Sequence, residues 1–516
     1  MNSLHFLRRA VVCTGIVVCL SGELPGGKAL AEPLEGAVRA SLNSARLEKA
    51  RVGVAIVDCD SRESLASINS SELFAPASNL KLITSGVALS ILKDFEFKTG
   101  FSAPGDGRLI IKGAGDPALC DPKLLGEQGW SVERFISRVV DAARAAKVSG
   151  IKEVIVDDRV FERDTAGAPP VHPTWPREQL NQWYCAPVSG LNFFTNVLEL
   201  RASRGERLGM KPNVTTEPAA PWLVNLDLSS TRTVNDGSNS LWAQQDRGGG
   251  GGGTFSFKVF GDVKSPIAAP VNVTVTQPGV FFASLLFHGL WEAGLTADWR
   301  PSNPPPVRIA VEGEDLVAAS SAPFAVITTP LATVLQRCNV DSQNLYAECL
   351  LKRTAFEVTQ QPGSWSTGSQ VITMLLTEKL GQEARGVRIV DGSGLSKDNQ
   401  VSPMVLARWL ASMQQDKSIG AEFLASMARA DDKDARISKR FVDRRLASTV
   451  YAKTGYIKNV LCLSGYVVRG DRTIAYSVLV NEIGATPGQR VKDFQEDVVV
   501  TIDRWLSRER GVAGSN

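Results

Sequence analysis

The sequence predicts an α/β protein of more than one domain, with helices flanking an antiparallel sheet. Three features carry this expectation. At 516 residues the chain exceeds the size at which a single hydrophobic core keeps growing. Its 43% hydrophobic and 22% charged residues are the balance of a soluble globular protein. Towards the C-terminal end, STVYAKTGYIKNVLCLSGYVVRGDRTIAYSVLVNE reads as three successive strands, and VKDFQEDVVVTIDRWLSRER as a closing helix packed on that meander.

The chain opens with MNSLHFLRR, the apolar run AVVCTGIVVCL and the small-x-small step Ala29-Leu30-Ala31, the order of a secretory signal cleaved after Ala31. Cys13 and Cys19 lack the small-residue context of a lipid-attached cysteine, so a soluble exported protein is expected. No later segment is long and apolar enough for a stable membrane span. A helix over 34–50 then leads into strands over 52–58 and 64–69, a hairpin just ahead of the helical stretch FAPASNLKLITSGVAL. From Phe95 the segment KTGFSAPGDGRLIIKGAGDPAL has strand and turn signals, WSVERFISRVVDAARAAKV is an amphipathic helix, and IKEVIVDDRVF is a strand ending in two aspartates. Pro-, Trp- and Gly-rich material follows to Asp246, and the glycine run Gly248 to Gly253 reads as a loop tip. PVNVTVTQPGVFFASLLFHGLWEAGL gives a further strand and helix, and Pro301 to Pro306 a linker. From Ala322, PLATVLQRCNVDSQNLYAECLLKRTAF reads as helices and VRIVDGSGLS as a strand with a glycine turn.

Composition excludes several functions. The formal charge of +3 falls to near +1 once the signal is removed, which is no nucleic-acid footprint. The cysteines left after cleavage, Cys59, Cys120, Cys185, Cys338, Cys349 and Cys462, are scattered without a C-x-x-C pair, so neither a disulfide framework nor a metal is expected. Cys338 and Cys349 are expected on one helix, where a rise of about 1.5 Å per residue holds them too far apart to bridge. Of three histidines, His5 leaves with the signal. His172 in VHPTWP and His288 in FFASLLFHGLW suit structural roles. A serine hydrolase here would have to use lysine, and no cofactor is implied.

Ser78 and Lys81 supply that possibility. At i and i+3 both side chains share one side of a helix, and Leu80, Ile83, Val87 and Leu89 make that helix a buried one. A lysine withdrawn from water loses proton affinity and can take the proton of a serine hydroxyl. The same spacing at Ser90/Lys93 falls near the helix C-terminus, and at Ser149/Lys152 in a turn, where neither suits an alkoxide. Two further triplets give the pair a setting: Ser342-Gln343-Asn344 between helical stretches, and Lys453-Thr454-Gly455 on a strand. Ser41-Leu42-Asn43, Ser67-Ile68-Asn69 and Lys98-Thr99-Gly100 match the triplets as text, but Lys98 follows too closely on the first helix, and order and spacing favour the first set.

With SNLK, SQN and KTG in this order, joined by GAGDPAL, IVDDRVF, WYCAPVSGLNFFTN and DGSGLSKDN, the chain resembles the penicillin-binding D-alanyl-D-alanine carboxypeptidases/endopeptidases of the class C low-molecular-mass type. The resemblance runs over most of the mature chain. It implies a penicillin-recognising serine peptidase domain, an antiparallel sheet flanked by helices, interrupted between its first and second motifs by a large inserted region of one or two mixed α/β domains. The expected division is a signal over 1–31, peptidase domain over 32–95 and 321–516, and insert over 96–320, with an outer part (96–160 and 265–320) and an inner part (161–264).

The resemblance implies a role for each motif. Ser78 attacks the carbonyl between two D-alanines and Lys81 accepts its proton; Ser342 relays a proton to the leaving amine, and Lys453 keeps Lys81 partly neutral by like-charge repulsion. Asn344 can bond both a lysine and the substrate amide. The KTG strand would be an edge to which the peptide adds, with Gly455 allowing close approach and Lys453 and Thr454 holding a terminal carboxylate. Backbone N–H groups of Ser78 and Tyr456 would form the oxyanion hole, worth about 3 kcal/mol per donor. Asp157 or Asp158 could bind the amine of a stem-peptide diamino acid, Lys397 could line the cleft, and Asp391 and Ser393 are expected to shape a glycine turn. The expected partners are peptidoglycan stem peptides and β-lactams, and the location is the periplasm or cell envelope, with the oligomeric state left open. A β-lactamase on the same fold and a non-catalytic wall-binding protein are the alternatives.

Overall fold

Two stretches far apart in the chain build one antiparallel sheet. In this computed structural model, which describes residues 28–47, 49–164, 169–246, 254–316 and 322–513, its six strands run in the order Ala428–Arg429, Thr449–Ile457, Val460–Arg469, Arg472–Asn481, Arg51–Asp58 and Ser64–Ile68. Each neighbouring pair is antiparallel. Alternation divides the side chains between two cores: Ala55 and Val57 face one with helices Leu80–Leu92, Asn344–Thr359 and Pro403–Gln415, while Val54 and Ile56 face the other with Lys28–Ala45 and Gly488–Ala513. The expected hairpin, meander and closing helix are all present.

Between the two stretches lies a second body. Its five-stranded sheet runs Val307–Ile309, Glu153–Asp157, Arg108–Lys112, Glu96–Ser102 and Ala325–Pro330, the first three parallel and the rest antiparallel. Pairing of Ala325–Pro330 with Glu96–Ser102 carries this sheet past the expected boundary at 320. Two three-stranded sheets, from Val224–Thr233, Phe255–Val263 and Trp242–Gln245, and from Val271–Thr274, Val197–Ser203 and Asn213–Glu217, complete it. One apolar cluster, from Phe101 through Leu198 and Phe257 to Leu290, links the outer and inner parts.

Residues 1–27 of the expected signal and the glycine run 248–253 lie outside the described residues. Two expectations are corrected. Cys338 and Cys349 sit on separate helices, Leu331–Val340 and Asn344–Thr359, because the chain breaks at Ser342 with φ +59°; all six described cysteines are free and buried. The segment 387–393 forms only an isolated bridge, Arg388 to Gln400, because side chains take its backbone groups: Val390 N donates to Asn399 Oδ1 at 2.8 Å, and Gly392 N and Ser393 N to Glu348, each at 2.8 Å.

Candidate active site

Ser78 sits in the short turn Ala77–Asn79 that feeds the helix Leu80–Leu92. Ala77 ahead of it adopts φ +46°, a left-handed conformation that a non-glycine residue keeps only when its surroundings enforce it. The helix is buried almost throughout, and Lys81 has 0% exposure. Lys81 Nζ lies 2.9 Å from Ser78 Oγ, 2.7 Å from Asn344 Oδ1 and 2.9 Å from Ser393 O. The amide and backbone oxygens only accept, so a neutral amine that gives them its two hydrogens turns its lone pair to the Ser78 hydroxyl. Burial draws the Lys81 pKa down to about 8, against the opposing pull of Cys338, Glu348 and Asp391.

The opposite wall comes from the other motifs. Asn344 Nδ2 donates one hydrogen to Tyr184 O at 2.8 Å, while its Oδ1 accepts from Lys81. Lys453, 3% exposed, donates to Ser342 Oγ at 2.7 Å and Thr454 O at 3.2 Å. Burial, and after it the charge of Lys81, lower its pKa to about 7. Burial is the leading cause for both lysines, and the repulsion between their charges is mutual. Asn79 stitches the two walls together: its Nδ2 donates to Lys453 O at 2.8 Å and its Oδ1 accepts from Ser464 Oγ at 2.6 Å. A Cβ on Gly455 would fall 3.0 Å from Pro76 O and 3.1 Å from Ala77 Cβ, which is why this strand can lie so close to the serine turn.

These groups open on a cavity of about 850 Å³, lined by Ser78, Ser342, Asn344, Lys453, Thr454, Tyr456 and Lys397. Tyr456 is 72% exposed. The strand Thr449–Ile457 is covered on its outer edge only where Ala428 and Arg429 pair with Ala452 and Tyr451, so among the described residues no strand lies against Thr454 to Tyr456 on that side. Asp157 does not line the cavity: Arg159 holds it, with Nε at 2.7 Å and Nη2 at 3.0 Å. Asp158 is likewise engaged by Arg163 and, at 3.1 Å, by Ser189 Oγ. His172 accepts from Thr174 and packs on Trp365, and His288 stacks on Trp222. Among the described residues there is no cluster of metal-ligating side chains and no helix long and apolar enough to cross a membrane.

Two contributions escaped the sequence reading. The second body reaches the cavity through Thr174, Gln179, Trp183 and Tyr184; the run WYCAPVSG, rich in aromatic and small residues, was the available signal. Glu348, fully buried, accepts from Gly392 N, Ser393 N and Trp365 Nε1, and so fixes the segment whose Ser393 carbonyl holds Lys81. Burial, and then repulsion from Asp391, raise its pKa to about 7. Asp391 accepts from Gly394 N and Ser396 N, the glycine turn expected of it.

The profile of the D-Ala-D-Ala carboxypeptidase 3 (S13) family matches residues 34–504. A D-alanyl-D-alanine carboxypeptidase of Actinomadura sp. (strain R39) is 28% identical over 86% of this chain and 80% of its own. D-alanyl-D-alanine carboxypeptidase DacB of Haemophilus influenzae is 23% identical over 90% of this chain and 91% of its own. The crystal structure of penicillin binding protein 4 (dacB) from Haemophilus influenzae superposes with a TM-score of 0.70 at 19% identity, covering 91% of this chain and 98% of that one. With a profile that runs through all three motif segments and a fold shared almost end to end, the chain belongs to the D-Ala-D-Ala carboxypeptidase 3 (S13) family of serine peptidases.

Proposed function

We propose that this enzyme hydrolyses D-alanyl bonds of peptidoglycan stem peptides through an acyl-enzyme on Ser78, with Lys81 as its base. The observation that carries this reading is the 2.9 Å contact between Ser78 Oγ and a fully buried Lys81 Nζ whose other two contacts are acceptors. Ser78 Oγ bonds to the carbonyl carbon, its proton passes to Lys81, and the C–N bond breaks as the leaving nitrogen takes a proton by way of Ser342. Water then cleaves the ester. The substrate adds along the open edge beyond Ala452, with its carboxylate at Lys453 and Thr454, its amide at Asn344 and its carbonyl oxygen at the N–H groups of Ser78 and Tyr456. Lys397 borders the same space. Arg159 already neutralises Asp157, which argues against a role in binding the diamino acid. The peptidase domain is the body around the six-stranded sheet, and the insert supplies one wall of the cleft.

Penicillins acylate the same serine as substrate mimics. A structure of the Haemophilus influenzae protein complexed with a β-lactam, 18% identical, is a precedent on this fold. Export to the periplasm or cell envelope is read from the N-terminal signal pattern and from where the substrate is found. The test is labelling with a fluorescent penicillin. One equivalent should bind wild type and none should bind Ser78→Ala, whereas equal labelling of both, or none of well-folded wild type, would overturn the assignment. Loss of the label within seconds rather than hours would instead identify a β-lactamase.

A further inference from the structure

The second body sends the segment VHPTWP against the turn that holds Lys81. Pro173 takes the second position of a tight turn closed by Trp175 N on His172 O at 3.1 Å, a place its fixed φ suits. That turn aims two side chains at residues 391–396. Trp175 Nε1 donates to Asp391 Oδ2 at 3.0 Å, and Thr174 Oγ1 lies 2.6 Å from Ser396 Oγ. His172 backs them: its Nδ1 accepts from Thr174 N at 3.3 Å and lies 3.0 Å from Thr174 Oγ1, and its ring meets that of Trp365 edge to face at 5.0 Å.

Two fully buried carboxylates, Glu348 and Asp391, shape the turn whose Ser393 carbonyl accepts from Lys81 Nζ, and each is met by an indole. Glu348 takes Trp365 Nε1 at 2.8 Å, and Asp391 takes Trp175. The two indoles pack edge to face with centroids 5.9 Å apart. Asp391 also accepts from Gly394 N, Ser396 N and Asn399 Nδ2, all within its own turn, so Trp175 is the donor that crosses from the second body. An ionised carboxyl offers about four acceptor sites, and withdrawal of the indole would leave a buried charge short of a donor and the turn free to shift. We infer that Trp175 and Thr174 are positioning residues for acylation: they hold the 391–396 turn so that the Ser393 carbonyl keeps Lys81 aimed at Ser78. The inference rests on the reading of Lys81 as the base. The second body thereby acts on the base itself, beyond supplying a wall of the cleft.

The test times acylation by a fluorescent penicillin and counts the sites labelled. Trp175→Phe keeps a ring and removes the N–H; it should still label to one equivalent while its rate constant falls about tenfold. Thr174→Val should lose about fivefold, and Thr174→Ser, which restores the hydroxyl, should recover to within about twofold of wild type. A residue needed only for folding would instead lower the labelled fraction and leave the rate of the remaining sites unaltered, and that result would overturn the inference. Thr174→Val combined with Ser396→Ala should be no slower than the slower single variant, because the two hydroxyls form one contact, and multiplied losses would overturn it. If Trp175→Phe does not fold, the threonine variants decide, and equal rates for valine and serine count against the inference. Wild-type rates in all of these variants would overturn it while leaving Ser78 and Lys81 in place. An ordinary rate in Lys81→Ala would strike the underlying reading and the inference together.

Discussion

A lysine works as a base near neutrality only when its ammonium form is disfavoured, and the buried position of Lys81 does this. Burial is the leading cause, and among the described residues the Ser78 hydroxyl is its one contact able to donate a proton. Lys81 is protonated and idle below its pKa and neutral above it. Acylation by a carboxylate-bearing β-lactam should therefore follow a bell-shaped pH profile with limbs near 7 and 8, because Lys81 must be neutral while Lys453 keeps its charge. A stopped-flow pH series checks this, and a rate independent of pH would refute the assignment. Lys81→Ala should slow acylation by at least about a hundredfold with the melting temperature largely kept, since general bases contribute on the order of 10²–10⁴. An ordinary acylation rate in this variant would remove Lys81 from the mechanism.

At the scale of elements, the site depends on how closely a strand and a glycine turn approach the segment carrying Ser78. Gly394 has φ +80°, and a Cβ there would sit 1.9 Å from Ala77 O, so Gly394→Ala combines backbone strain with a collision against backbone. Gly484 has φ +57° with no atom nearer than Glu482 O at 3.9 Å, so its replacement by alanine brings strain alone. Gly484→Ala should cost about 1 kcal/mol in denaturant unfolding and leave acylation unaltered. Gly394→Ala should lose acylation by more than about a hundredfold, since small displacements of reacting groups are costly. Equal acylation by the two variants would show that the approach of the turn to Ala77 is immaterial.

Across the whole molecule, the second body is fastened to the body around the six-stranded sheet next to the site. Asp121, fully buried, accepts from Arg337 Nε at 3.1 Å and Nη2 at 2.5 Å and from Tyr346 Oη at 2.5 Å. Arg337 also grips Asp341 at 2.5 Å, the residue before Ser342, and Lys123 reaches the same carboxylate at 2.9 Å. Buried Lys352, 3.0 Å from Glu162, forms a second tie. Removing one partner of a buried pair strands the other's charge, so Asp121→Ala should destabilise the protein by about 3–5 kcal/mol, read in denaturant. It should also slow penicillin labelling, because the Ser342 turn loses its brace. Unaltered stability and labelling would show the two bodies to be held together by other contacts.

The sequence by itself determined what is local. Helical geometry puts Lys81 on the same side as Ser78, the strand signal of STVYAKTGYI puts Lys453, Thr454 and Gly455 on one strand, and the sparse histidines direct attention to lysine. Even the family motifs, read as text, did not reveal that Ser342 breaks the helix expected to hold both Cys338 and Cys349, or that Glu348 holds the Ser393 carbonyl on Lys81. Those arrangements were decided by tertiary structure. Lys453 meets Ser342 across 111 residues and Lys81 meets Asn344 across 263, and no periodicity extends so far. The burial that lowers the proton affinity of Lys81 belongs to the packed fold, because the same side chain in the unfolded chain would remain in water.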